Sequence, residues 1–125
     1  MPPPMRLYAL RGATTVTAND GDAILAATDE LMRAILERNR LAPEHLVSCI
    51  FTLTEDLDAE FPAVAARRMG LSAVPLLCAR EVPVPGALPR VIRVLIHCYL
   101  AEGRAPEHVY LNEAARLRLD LGGAQ

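Results

Sequence analysis

Three charged side chains stand in otherwise apolar stretches of this chain, and charges in such places are the first candidates for chemistry. Arg93 lies inside VIRVLIHCY, Glu81 follows LLCA, and Arg11 separates MRLYAL from the small and hydroxylated residues GATTV. Guanidinium groups grip carboxylates in bidentate fashion, and a carboxylate beside them can balance their charge. Spacing alone favours a plainer account, in which Arg93 and Glu81 form a structural ion pair or face a subunit interface and Arg11 meets solvent. Cys78 stands near Glu81, but no His or Asn is placed to activate it as a nucleophile. His45, His97 and His108 are scattered without metal-ligand spacing, and GATTV lacks the lysine and glycine spacing of a phosphate loop. No metal and no cofactor is therefore expected, and nucleophiles and nucleotides are not expected to drive the chemistry.

These residues need elements to position them. Met5 to Leu10 read as a first strand, followed by a loop from Gly12 to Asn19, so that Arg11 closes the strand. Ile24, Thr28, Leu31 and Ile35 share one stripe with Leu25, Met32 and Leu36 beside it, which predicts a long helix over Asp22–Asn39. Asn19 or Asp20 can cap its start, and Pro43 bars its continuation. HLVSCIFTLT is a second strand, and TEDLDAEFP is a polar loop returning to the core at Phe61. PAVAARRMG is a short helix opened by Pro62 and stopped by Gly70. VPLLCAREV is a third strand, PVPG a turn, VIRVLIHCY a fourth strand, and HVYL a short fifth, with EAARLRLDL forming one helical turn. In the fourth strand, alternation puts Arg93 with Val91, Leu95, His97 and Tyr99, opposite Ile92, Val94, Ile96 and Cys98. The order β, α, β, α, β, β, β predicts an α+β domain, a mixed β-sheet packed by a long helix.

A chain of 125 residues is expected to be a single domain over 1–125, with a flexible proline leader over 1–4 and a mobile tail over 117–125. Thirteen basic and fifteen acidic residues give a net charge of −2, and with few aromatics this argues against nucleic acid as a partner. Every one of those thirteen cations is arginine, a bias that genome composition explains well enough. No apolar run approaches the ~20 residues of a membrane helix, and MPPP does not begin a signal peptide, so a cytoplasmic protein with no membrane partner is expected. The three cysteines, Cys49, Cys78 and Cys98, lack CxxC spacing and read as free thiols.

Four separated blocks, LRGATTV, DLDAEFPAVAAR, VPLLCAREVPVPGALPRVIRVLIH and HVYLNEAARLRLDL, occur in an order that resembles the monofunctional chorismate mutases of the small bacterial AroH class. The resemblance covers Met5 to Leu121. It implies a homotrimer forming a pseudo-α/β barrel, with intersubunit active sites that rearrange chorismate to prephenate in phenylalanine and tyrosine biosynthesis. It also implies roles. Arg11 would bind a substrate carboxylate, Arg93 would meet the ether oxygen, Glu81 would accept the substrate hydroxyl, and Tyr110 would contact a carboxylate. Cys78 would line the pocket beside Glu81. Phe61 and Arg67 would come from the neighbouring subunit, and Leu117 and Arg118 would close over the mouth. Val64 stands where the family often has a lysine, and Leu119 replaces a proline of the tail motif, which bears on substrate capture and tail ordering.

The implied reaction is a concerted [3,3] shift, which needs no acid, base or nucleophile. It needs a folded substrate conformation and stabilisation of the charge that separates as the ether bond stretches. Two other readings stand beside it: an enamine or imine deaminase on a related trimeric fold, and a non-catalytic module that binds small carboxylates. The CAREVPVPG and FPAVAAR blocks belong to the mutase pattern and weigh against the first of these. The presence of every polar residue of the inner site weighs against the second.

Overall fold

Alternation of apolar and polar residues builds the first strand of the computed structural model, which describes residues 4–120, with side chains described through 117. Strand β1 (Met5–Thr15) is longer than the sequence predicts, because Gly12–Thr15 continue the antiparallel ladder opposite Val94–Val91 of β4 (Val91–Ala101). Arg11 therefore lies inside a strand and does not close one. Helix α1 (Gly21–Arg38) matches its predicted span, and Asp20 caps it by accepting from the Ala23 N–H at 3.2 Å. Asn19 does a different job, joining the loop at Asp58 and Ala59.

The remaining elements are β2 (Leu46–Leu53), α2 (Pro62–Ala66), β3 (Leu76–Arg80) and β5 (Val109–Tyr110). A π-turn over Arg67–Leu71 continues α2, with Gly70 at φ 99°, a left-handed conformation that ends the helix there. The third strand is shorter than expected and stops at Arg80, so Glu81 sits one step beyond it. A 3₁₀ segment over Asn112–Asp120 replaces the single predicted turn and runs past the expected start of the tail at Leu117. Residues 1–3 of the leader and 121–125 of the tail lie outside the described residues.

The sheet is mixed, in the order β3-β2-β4-β1-β5, with β2–β3 and β1–β5 parallel and the two central pairings antiparallel. This is the α+β arrangement the sequence predicts. One face carries Leu10, Phe51, Ile92, Val94, Ile96 and Cys98 against Ile24, Leu31, Met32 and Ile35 of α1, and this layer is the main core. Gly12 permits the close approach: a Cβ there would lie 2.6 Å from Ile35 Cδ1. The other face is open. It carries Leu7, Arg11, Ile50, Thr52, Leu77, Arg93, Leu95, His97 and Tyr99, and at Ala13 and Val91 it is covered by Ala114 with Leu88, Tyr110 and Leu117. Among the described residues, no helix is long and apolar enough to cross a membrane.

Candidate active site

Register, more than sequence proximity, assembles the site. Thr52 of β2, Arg93 of β4, Ala13 of β1 and Tyr110 of β5 form one cross-strand row on the open face. The next row holds Ile50, Leu95 and Arg11. Because residues directly opposite one another across a ladder share a face, the two arginines and the tyrosine converge although they are remote in sequence. Ala13 has no side chain to fill the space between Arg93 and Tyr110. The result is a hollow of about 240 Å³, with Arg11, Thr52, Arg93 and Tyr110 as polar lining and Ile50 and Leu95 as apolar floor.

Two features outside the sheet hold β5, and with it Tyr110, in place. Asn39, buried at the end of α1, accepts from the Glu107 N–H at 2.7 Å and donates to the Glu107 carbonyl at 2.9 Å. His108 accepts the Arg11 N–H through Nδ1 at 3.0 Å, which ties the strand bearing Arg11 to the strand bearing Tyr110. In the neutral ring that acceptor role leaves the proton on Nε2.

Glu81 reaches Arg93 from beyond the end of β3. Its backbone N–H donates to the Leu53 carbonyl at 2.9 Å, and its carboxylate takes the Arg93 Nε–H, with Nε 3.1 Å from Oε1 and 2.9 Å from Oε2. The two side chains are 25% and 14% exposed, so the pair is largely shielded from water. Thr52 Oγ1 donates to the same carboxylate at Oε2. Glu81 lies at the edge of the hollow, where a second depression opens beneath the 82–89 loop. Arg90 anchors that loop, with its N–H on the Asp56 carboxylate at 3.0 Å and its Nε on the Val16 carbonyl at 3.0 Å.

The other expected residues fall in three places. Cys78 is not in this hollow: it pairs with Phe51 and so faces the core side of the sheet, away from Arg93 and Tyr110. It lines a separate depression with Phe61, Leu57 and Arg80. Phe61 is 64% exposed and Arg67 is exposed as well, and neither borders the hollow within the same chain. Leu117 packs with Tyr110 beside Ala13, Val91 and Ala114, at the rim of the hollow. The side chains of Arg118 and Leu119 lie outside the described residues. Sequence reasoning missed Thr52 and His108. Thr52 is legible as the hydroxylated member of the Ile50–Thr52 alternation, whereas His108 serves as an acceptor for a distant backbone N–H, a role that no spacing in the sequence signals.

The thiols of Cys49 and Cys98 are not poised as nucleophiles. Burial, with the neighbouring Cys98, pushes the Cys49 thiol up to about 12, and burial raises Cys98 despite the opposing charge of Arg104. The chemistry of the hollow is instead that of two cations, one carboxylate and a phenol over an apolar floor. Such a set can bind a small, multiply anionic molecule with an apolar frame and set a fixed charge against it.

The chain is thus an α+β domain whose open sheet face carries a hollow lined by two arginines, a threonine and a tyrosine. The sequence profile of the chorismate mutase type I family matches residues 7–121. The chorismate mutase AroH of Thermus thermophilus is 54% identical over 121 residues, covering 93% of this chain and 97% of that protein. The chorismate mutase AroH of Bacillus subtilis (strain 168) is 38% identical over 122 residues, covering 94% of each. The solved structure of the chorismate mutase from Clostridium thermocellum superimposes with a TM-score of 0.83 at 45% identity, covering 87% of this chain and 98% of that one. The chain belongs to the chorismate mutase type I family, and as an enzyme it is an isomerase. The deaminase and silent-module readings give way on this ground.

Proposed function

We propose that this chain converts chorismate to prephenate in the hollow on the open sheet face, as a cytoplasmic homotrimer whose sites are completed by a neighbouring subunit. The convergence of Arg11, Arg93 and Tyr110 on one hollow, with Glu81 paired to Arg93, is the observation that carries this reading. Arg11 and Tyr110 hold a substrate carboxylate. Arg93 directs its guanidinium to the ether oxygen, which gains negative charge as the C–O bond stretches, so the contact is stronger in the transition state than in the ground state. Glu81 accepts the ring hydroxyl and lies on the side where the ring becomes electron-poor. The apolar floor holds the enolpyruvyl arm over the ring in the folded geometry that the shift requires.

A second copy is needed for two reasons. Leu7, Leu77 and Tyr99 on the open face are 48%, 60% and 45% exposed, apolar side chains that a second copy would cover. Phe61 and Arg67 lie away from the hollow in their own chain, so they reach a site only across a subunit boundary. The free state of Cys49, Cys78 and Cys98 suits a reducing cytoplasm. Leu117 of the C-terminal segment, packed beside Tyr110, borders the mouth.

The test follows the loss of chorismate absorbance with purified protein beside the Arg93→Ala variant, confirming prephenate by its acid conversion to phenylpyruvate. Removing one preorganised donor of this kind typically costs ~10²–10³ in kcat. Turnover unchanged in the variant would remove Arg93 from the chemistry. Light scattering on the same preparation checks the assembly: a monomer that turns over chorismate would overturn the intersubunit site.

A further inference from the structure

Among the polar side chains that line the hollow, Thr52 has no part in the roles assigned above, yet its surroundings single it out. It lies on β2, between the two strands whose residues form the central ion pair: Arg93 is its register partner on β4, and Ala79 its partner on β3, two residues before Glu81. Its hydroxyl donates to Glu81 Oε2.

The Arg93 Nε–H, at 3.1 and 2.9 Å from the two carboxylate oxygens, does not by itself choose between them and leaves the terminal torsion some freedom. The Glu81 backbone is held by its N–H on the Leu53 carbonyl at 2.9 Å, but that bond does not set the torsions of the side chain beyond it. A second donor on one named oxygen removes that freedom. Threonine suits the task because its branched Cβ restricts the hydroxyl to few directions, and because a hydroxyl stabilises a carboxylate without adding charge to the hollow. The net positive charge that Arg11 and Arg93 present to a dianion is thereby kept.

We propose that Thr52 is a positioning residue for the rearrangement: by donating to Oε2 it holds the Glu81 carboxylate in the one orientation that engages both Arg93 and the substrate hydroxyl. This inference rests on the site reading above. It differs from a purely structural role, in which the hydroxyl serves only to satisfy a shielded polar group and its loss is felt in stability alone.

The experiment measures kcat, KM and urea unfolding for the wild type, Thr52→Val, Thr52→Ala, Thr52→Ser, Glu81→Ala and the Thr52→Val/Glu81→Ala double variant. Loss of a hydrogen bond to a charged group predicts a fall in kcat of roughly tenfold to a hundredfold in Thr52→Val and Thr52→Ala, with KM little changed. Thr52→Ser recovers most of the rate. In the Glu81→Ala background the valine substitution has no further effect, because Thr52 acts through Glu81. Wild-type kcat in a folded Thr52→Val or Thr52→Ala variant overturns the proposal, and so does a rate loss that multiplies in the double variant. Wild-type kcat in Glu81→Ala itself is a separate outcome: it brings down the site reading, and the role of Thr52 with it.

Discussion

The Nε of Arg93 lies 2.9 Å from Oε2 of Glu81, joining the interior of β4 to the residue just beyond β3 across the intervening strand β2. An ion pair built this way depends on the pairing of three strands: β4 carries Arg93, β2 carries the Thr52 hydroxyl that donates to Glu81 Oε2, and the Glu81 N–H on the Leu53 carbonyl continues the β2–β3 pairing.

Arg93→Lys keeps the charge but loses the planar fork, so the ammonium cannot serve Glu81 and an ether oxygen in the same geometry. We expect kcat to fall by ~10²–10³ in this variant. A lysine variant within threefold of wild type would show that charge alone suffices.

His108→Leu removes the acceptor of the Arg11 N–H and loosens a parallel β1–β5 pairing of only two residue pairs. One such hydrogen bond contributes about 1 kcal/mol, so KM should rise roughly fivefold while kcat changes less. Equal loss in both constants would instead place His108 nearer the chemical step.

Gly12→Ala puts a methyl group 2.6 Å from Ile35 Cδ1 and 3.2 Å from Leu31 Cδ1. Overpacking of this type costs ~1–3 kcal/mol, and the strain falls beside Arg11. Denaturant unfolding should show the loss of stability. An unchanged midpoint would mean that α1 shifts freely to make room.

Mixing Arg93→Ala with Arg67→Ala protein tests the shared site. Each alone is expected to be weak, but random reassembly of trimers leaves roughly a quarter of clefts with both residues intact, so activity should return on mixing. Absence of any recovery after demonstrated subunit exchange would put Arg67 and Arg93 in the same subunit's site, or Arg67 outside it.

Alkaline pH should destabilise the fold through its thiols. With the Cys49 thiol pushed up to about 12 by burial, the folded chain keeps a proton that the unfolded chain releases near its ordinary value of about 9. Stability from this group is therefore full below about pH 9 and is lost as pH rises toward 12, at no more than about 1.4 kcal/mol per pH unit. Cys49→Ser should flatten that slope; an identical slope would assign the alkaline transition to other groups.

Local patterning in the sequence determined a good deal. The stripe from Ile24 to Ile35 and the cap at Asp20 define α1, since periodicity and capping depend on residues within one or two turns. Alternation in β4 put Arg93 and Leu95 on the face opposite Val94 and Ile96, and the four blocks pointed to the family and to Arg11, Glu81, Arg93 and Tyr110. Tertiary structure alone decided the rest. That β1 runs on through Thr15 depends on a partner strand about eighty residues away, which offers Val91–Val94 as a ladder. Cys78 faces the core because β3 lies in parallel register with Phe51, and a shift of one residue would have turned it outward. Thr52 meets Glu81, and His108 meets Arg11, through pairings between distant segments. A sequence encodes which way a side chain points along its own strand, but which side chains then meet is set by register between strands, and register is settled only when the core closes.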